Sequence, residues 1–433
     1  MRSPSVRFAL LVAPILACSC WSAGNRFGTP AGTGGSDGTG GSPPKKPPVG
    51  HVTSCSNTDV PLPALADLPK IDALPDPFQS LDGTAITTKD QWSTCRRAEI
   101  AAQAAAYELG DKPDKPASVT GAFDAGTLTV TASDGTKSIS FTAAVTFPTN
   151  GAAGPYPAMI GVGGISIGAA TLNQMGVATI VFDNNAVAAQ DGGQSRGVGA
   201  IYDLYGSTHS AGAMMAWAWG VSRLIDALET TSAAQIDTTR LGVTGCSRNG
   251  KGALIVGALD ERIVLTIPQE SGSGGSASWR ISDAQDPSGT MVQQLHEITG
   301  ENVWFRSSFS QFDYAAKQLP FDHHTIEGLV APRALLIIEN TSQVWLGNIS
   351  TYSDSVAAHA IWEGLGIPDH MGVSQIGDHM HCQWLGSQQA EVTAYVQKFL
   401  IGGGTASTVV MKTDGGFAYD KATWQPWTVP TLN

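Results

Sequence analysis

Leu241-Gly-Val-Thr-Gly245-Cys246-Ser247-Arg248-Asn249-Gly250-Lys251-Gly252-Ala253 reads as a short apolar strand that stops at a serine between glycines and passes at once into a helix. No loop separates the two elements, so the turn carrying Ser247 must be tight, and small neighbours let it close. Such a turn lifts one hydroxyl above the edge of a sheet. The helix N-terminus behind it aims free amides at any negative charge that develops there. Gly250 stands one place later than the second glycine of G-x-S-x-G, so a serine that merely caps a helix is the competing reading. A phosphate loop is a weak alternative, because G-x-x-x-x-G-K-[ST] needs Ser or Thr where this chain has Gly252.

Outward from that turn, residues 158–162, 177–182, 241–244, 264–267 and 334–338 are short apolar runs of the kind buried on both faces of a parallel sheet. Helix-like stretches at 211–228, 251–259 and 388–400 lie between and after them. The alternation predicts a three-layer α/β sandwich with a mostly parallel central sheet. Together with the serine turn it predicts an α/β-hydrolase fold. Residues 127–131 and 139–145 alternate with period two around Asp134-Gly135, which reads as an antiparallel hairpin at the sheet's edge.

The chain has 433 residues, and its 25 Lys+Arg against 37 Asp+Glu give a net charge of −12, which argues against nucleic acid as a partner. At the start, Arg2 and Arg7 precede a short apolar run and small residues, the pattern of a secretion signal cut near Ala23, residues 1–23. Cys18 or Cys20 could instead accept lipid as in a bacterial lipoprotein, which would make the product anchored at an outer surface rather than freely secreted. Residues 24–50 are Gly, Ser, Thr and Pro with little apolar surface to bury, and read as a flexible tether. Residues 51–433 show no internal repeat, no second linker and no apolar run long enough to span a bilayer, so they read as one domain. Its four cysteines, Cys55, Cys95, Cys246 and Cys382, suggest two disulfides in an exported chain, with three connectivities open.

A nucleophilic serine needs a base, and the base a carboxylate, in the chain order Ser, acid, His for this fold. Gly377-Asp378-His379-Met380-His381-Cys382, in a loop before the last helix, offers two candidate bases. A metal site there is disfavoured, because no further ligand set of the zincin kind accompanies it. Glu270, Glu339 and Asp378 are the candidate acids, and spacing alone leaves that choice open.

Several longer motifs resemble the glucuronoyl esterases, carbohydrate esterase family fifteen. They are Gly245-Cys-Ser-Arg-Asn-Gly-Lys-Gly-Ala253; Pro268-Gln-Glu-Ser-Gly-Ser-Gly-Gly-Ser276 with Trp279-Arg280; Glu301-Asn-Val-Trp-Phe305; Glu339-Asn-Thr with Trp345-Leu-Gly347; and His381-Cys382. Upstream, Leu74-Pro-Asp-Pro-Phe78 and Trp92 with Cys95-Arg-Arg-Ala-Glu99 are similar too, so the resemblance covers nearly all of 51–433. It implies a triad of Ser247, Glu270 and His381, with Arg248 at the oxyanion. It further implies disulfides Cys246–Cys382 and Cys55–Cys95, and sugar contacts from Lys251, Gln293, Glu301 and Trp345. A third bridge of fungal relatives is missing, because Ser278 stands where a cysteine would be. The activity implied is hydrolysis of 4-O-methyl-glucuronoyl esters between glucuronoxylan and lignin alcohols, by a monomer that needs no cofactor. A broader carbohydrate esterase, such as an acetyl xylan esterase, and a non-catalytic polysaccharide-binding protein are the alternatives.

Overall fold

Ten strands form a single sheet in the computed structural model, which describes residues 62–289 and 291–433. They are β1 (Ser118–Asp124), β2 (Thr127–Ser133), β3 (Ser138–Thr146), β4 (Tyr156–Val162), β5 (Ala178–Phe182), β6 (Ile236–Cys246), β7 (Ile263–Gln269), β8 (Ala334–Glu339), β9 (Met371–Gln375) and β10 (Met411–Thr413). Their order across the sheet is β1-β2-β3-β5-β4-β6-β7-β8-β9-β10. From β5 onward all neighbours are parallel, whereas β1, β2, β3 and β5 pair antiparallel. This is an α/β-hydrolase fold with a large, mostly parallel central sheet.

Each central strand sends alternate residues to opposite faces. On β8, Leu335 and Ile337 join one apolar cluster, while Ala334, Leu336 and Ile338 join another. The first cluster contains Leu224, Ile225, Leu254 and Val256 from the helices Ala213–Thr230 and Arg248–Leu259. The second contains Val392 and Tyr395 of the helix Gln389–Tyr395 and Val396 and Leu400 of its π-helical continuation Val396–Ile401. Helices on both faces of one sheet make the three layers, and explain why β4, β7 and β8 are apolar nearly throughout.

The Asp134-Gly135 hairpin forms as β2 and β3, paired from Thr127↔Ala144 to Ser133↔Ser138. It is not outermost: β1 covers it at the edge, and none of the β1 residues is fully buried, which left that strand without an apolar signature. β9 escaped sequence reading for the opposite reason. It is buried at every position yet carries Ser374 and Gln375, and the Gln375 amide donates to Asn348 O at 2.7 Å. Among the described residues no helix is long and apolar enough to cross a membrane. The expected leader at 1–23, the tether at 24–50 and Cys55 lie outside the described residues.

Candidate active site

Ser247 sits between β6 and the helix Arg248–Leu259 with φ +60° and ψ −130°, a conformation that costs energy for any residue with a Cβ. The two glycines explain how so sharp a turn closes. A Cβ on Gly245 would lie 2.4 Å from Asn249 O, and one on Gly250 would lie 2.7 Å from Gln269 O at the end of β7. The later position of the second glycine therefore follows from the close approach of helix and neighbouring strand. Position 249 is free to hold a side chain, and the Asn249 Oδ1 accepts from Asn184 Nδ2 at 3.1 Å and Gln190 Nε2 at 3.4 Å.

Glu270 follows β7 directly, buried, with φ +45°, and its N–H donates to Ile338 O at 2.7 Å. Its Oε2 accepts from His381 Nδ1 at 2.8 Å and from Cys382 N at 3.0 Å, and its Oε1 from Gln269 Nε2 at 3.3 Å. With Nδ1 as the donor to a carboxylate, His381 keeps an acceptor at Nε2, which is buried and without a hydrogen-bond partner. His379 is differently placed. Its Nε2 faces Ile376 O at 3.1 Å and its Nδ1 faces Asn340 Nδ2 at 3.1 Å, while Glu270 Oε1 is 3.7 Å away. Both ring nitrogens of His379 thus serve the loop. Asp378 lies exposed on the same loop.

A disulfide joins Cys246, the residue before Ser247, to Cys382, the residue after His381, with their Cα atoms 5.8 Å apart across 136 residues of chain. Ser247, Arg248, Asn249, His381 and Cys382 line one cleft of about 460 Å3 with Val162 and the glycine pair Gly163-Gly164. That pair follows β4 directly, and sequence reasoning missed it, since nothing in its spacing ties it to Ser247. Cys246, His381 and Cys382 also form the one grouping of potential metal donors found among the described residues. Both sulfurs are consumed in the S–S bond, which leaves the imidazole Nε2 as the one donor of the three with a free lone pair, so the set does not suit a metal. Cys95 is disulfide-bonded, and its expected partner Cys55 lies outside the described residues.

Glu339, the other strand-end acid, is equally buried but points to a different purpose. Its Oε1 accepts from Ser271 N at 2.9 Å and from the Ser276 hydroxyl, clamping the turn that follows Glu270. Burial pushes this carboxyl up to about 7, with the nearby Glu270 adding to the rise against its hydrogen bonds. Lys251, one turn into the helix after Ser247, is buried and donates its ammonium to Ser271 O. Desolvation draws it down to about 8, opposed by Glu301 and Glu339.

Gln293, Glu301 and Trp345 line a second cavity of about 340 Å3 together with Met291, Val292 and Glu297. The Gln293 amide donates to Glu301 Oε2, and Gln293 N to Trp345 O at 2.9 Å. Trp345 is 41% exposed, which separates it from the buried core, and its ring meets the His381 imidazole edge-on at a centroid distance of 5.0 Å. Ser278, in place of a cysteine, caps the helix Trp279–Gln285 by accepting from Ile281 N at 3.3 Å.

A serine on a strained strand-to-helix turn, a histidine on a loop after β9 and a strand-end carboxylate bonded to it define the class: an α/β-hydrolase. Within that class the comparisons are specific. The family model for the glucuronyl esterases of fungi matches residues 130–366. A 4-O-methyl-glucuronoyl methylesterase of Hypocrea jecorina is 51% identical over 360 residues, covering 83% of this chain and 76% of that protein. The solved glucuronoyl esterase catalytic domain from Hypocrea jecorina superposes with a TM-score of 0.81 at 49% identity, covering 86% of this chain and 100% of that one. A mutant glucuronoyl esterase from Sporotrichum thermophile, solved in complex with methyl 4-O-methyl-β-D-glucopyranuronate, gives 0.80 at 46% identity over 84% of this chain and 97% of its own. This chain belongs to the glucuronyl esterase family.

Proposed function

We propose that this protein is an exported serine esterase that hydrolyses 4-O-methyl-glucuronoyl esters between glucuronoxylan and lignin alcohols. Ser247 is the nucleophile, His381 the base, Glu270 the acid that orients it and Arg248 the oxyanion cation. The observation that carries the reading is the 2.8 Å bond from His381 Nδ1 to buried Glu270, on a loop whose base lines the same cleft as Ser247. The methyl glucuronate ester held by the Sporotrichum thermophile relative supports the substrate class.

Ser247 Oγ attacks the ester carbonyl while His381 Nε2 takes its proton. Negative charge then collects on the former carbonyl oxygen, where the Arg248 guanidinium and the amides at the start of its helix stabilise it. On collapse, the C–O bond to the alcohol breaks and imidazolium returns the proton to the departing oxygen. Water, deprotonated by His381, attacks the acyl-enzyme next, and Ser247 recovers its proton as the uronic acid leaves. Glu270 stays ionised throughout and stabilises imidazolium. Lys251, Gln293, Glu301 and Trp345 hold the uronosyl ring, with hydroxyl partners from the first three and an apolar face from the indole. No cofactor enters any of these steps.

Residues 1–23 act as an export leader and 24–50 as a tether to a monomeric catalytic domain at 51–433. The test is Ser247→Ala assayed on benzyl glucuronate and on acetylated xylan. Benzyl glucuronate hydrolysis should fall by about 10^4-fold or more; unchanged hydrolysis removes the mechanism. Wild-type preference for acetylated xylan would replace the substrate assignment with that of an acetyl esterase.

A further inference from the structure

Two cations lie over one indole ring beside the reacting serine. The Arg248 guanidinium carbon lies 5.5 Å and the Lys251 ammonium nitrogen 5.8 Å from the ring centroid of Trp304, both within the range of a cation–π attraction. Trp304 belongs to the motif Glu301-Asn-Val-Trp-Phe305, in which only Glu301 has received a role. The indole is buried and its orientation is fixed, because its N–H donates to Gln190 Oε1 at 2.8 Å. The Gln190 amide in turn donates to Asn249 Oδ1 at 3.4 Å, and Gln190 O accepts from Asn302 Nδ2 at 3.0 Å. The ring is thereby tied to the residue that separates Arg248 from Gly250 on the helix.

Arg248 is exposed, and a long cationic side chain at a solvent boundary loses rotamer freedom when it is held in one place. Lys251 is buried and its ammonium has Ser271 O as a fixed acceptor. A flat, electron-rich face can favour both cations at once without removing their hydrogen-bonding edges, which stay available to other partners. An aliphatic side chain of similar bulk would fill the same space but lack the quadrupole.

We propose that Trp304 is a positioning residue of the esterase: its indole ring holds Arg248 at the site of the developing oxyanion and fixes Lys251 beside it. The role of Arg248 in this rests on the catalytic reading given above.

The experiment uses the full-length protein and site-specific replacement of Trp304 by tryptophans carrying one to four ring fluorines, which leave the shape nearly unchanged while draining the ring face of negative potential. With methyl glucuronate as substrate, log kcat/KM should fall steadily with fluorine number, to about 3- to 10-fold below wild type at four fluorines. Trp304→Phe should keep most activity, and Trp304→Leu should lose about tenfold or more. Equal kcat/KM across the fluorinated series overturns the proposal, whatever Trp304→Leu does, since the ring would then matter only as filling. Full activity in Ser247→Ala, run alongside, overturns the catalytic reading and this proposal with it. Loss confined to Ser247→Ala, with a flat fluorine series, leaves the esterase reading standing and removes the Trp304 role alone.

Discussion

Glu270 and Glu339 stand at the ends of adjacent strands, both buried, each the residue after the pair Gln269 and Ile338, where Glu270 N donates to Ile338 O. They differ in what they face. Glu270 meets an imidazole that can carry a proton and an amide of the same loop, while Glu339 meets only hydroxyls and amides of the turn at 271–276. A strand-end carboxylate is therefore defined by its partner, and the same residue type a few ångströms away becomes a structural clamp. The comparison also shows how the two corners depend on each other, because Glu339 holds the turn that continues from Glu270, and Lys251 holds the carbonyl of the next residue.

The strongest way to break this contrast is to neutralise each acid in turn. Glu270→Gln should lower kcat by about 10^3- to 10^4-fold, since the amide favours the wrong imidazole tautomer. Glu339→Gln should lower it by less than about 30-fold, since an amide oxygen still accepts from Ser271 N and the serine hydroxyls. Steady-state kinetics on benzyl glucuronate would measure both. Equal losses would mean that the two carboxylates act together.

The disulfide sharpens the comparison, because it belongs to the Glu270 corner alone. Replacing Cys246 and Cys382 together by serine should cost about 2–5 kcal/mol of stability, read from the denaturation midpoint. At a temperature where the variant stays folded, kcat should fall as the base loop loosens. The pH dependence attributed to Glu339 should be unaltered.

That pH dependence gives the smallest effect. Glu339 sits at about 7 in the folded chain against an ordinary value of 4.5. Between those values the folded state holds a proton that the unfolded state has released, so the stability contributed by protonated Glu339 is full at low pH and is lost as pH rises through about 7. The difference amounts to up to about 3 kcal/mol. Relative to wild type, Glu339→Gln should gain stability as pH is raised from about 4.5 to 8 in denaturant titrations. A constant difference across that interval would mean that Glu339 titrates normally.

Much of the sheet was legible because the central strands are buried on both faces and must be apolar, as in 158–162 and 334–338. β9 was not, because it buries the polar Ser374 and Gln375, and the Gln375 amide finds its acceptors in Asn348 O and the Thr351 hydroxyl, both distant in sequence. Ser247 could be picked out from local spacing, and so could the short loop holding both histidines. Choosing among Glu270, Glu339 and Asp378 could not be done that way; the family resemblance pointed to the first. Trp304 lies within a motif shared with the family, yet its place was not legible, since nothing in one dimension reveals which cations lie over a ring.

Sequence alone determined what is local: an elbow that needs glycines at 245 and 250, strands apolar enough to be interior, and the residue types from which a triad can be drawn. Tertiary structure decided which carboxylate meets the imidazole, which histidine is left free at Nε2, and which aromatic face lies under Arg248 and Lys251. The physical reason is that backbone torsion and periodicity are set by neighbours in the chain, whereas a proton-carrying contact depends on where strands end and loops return.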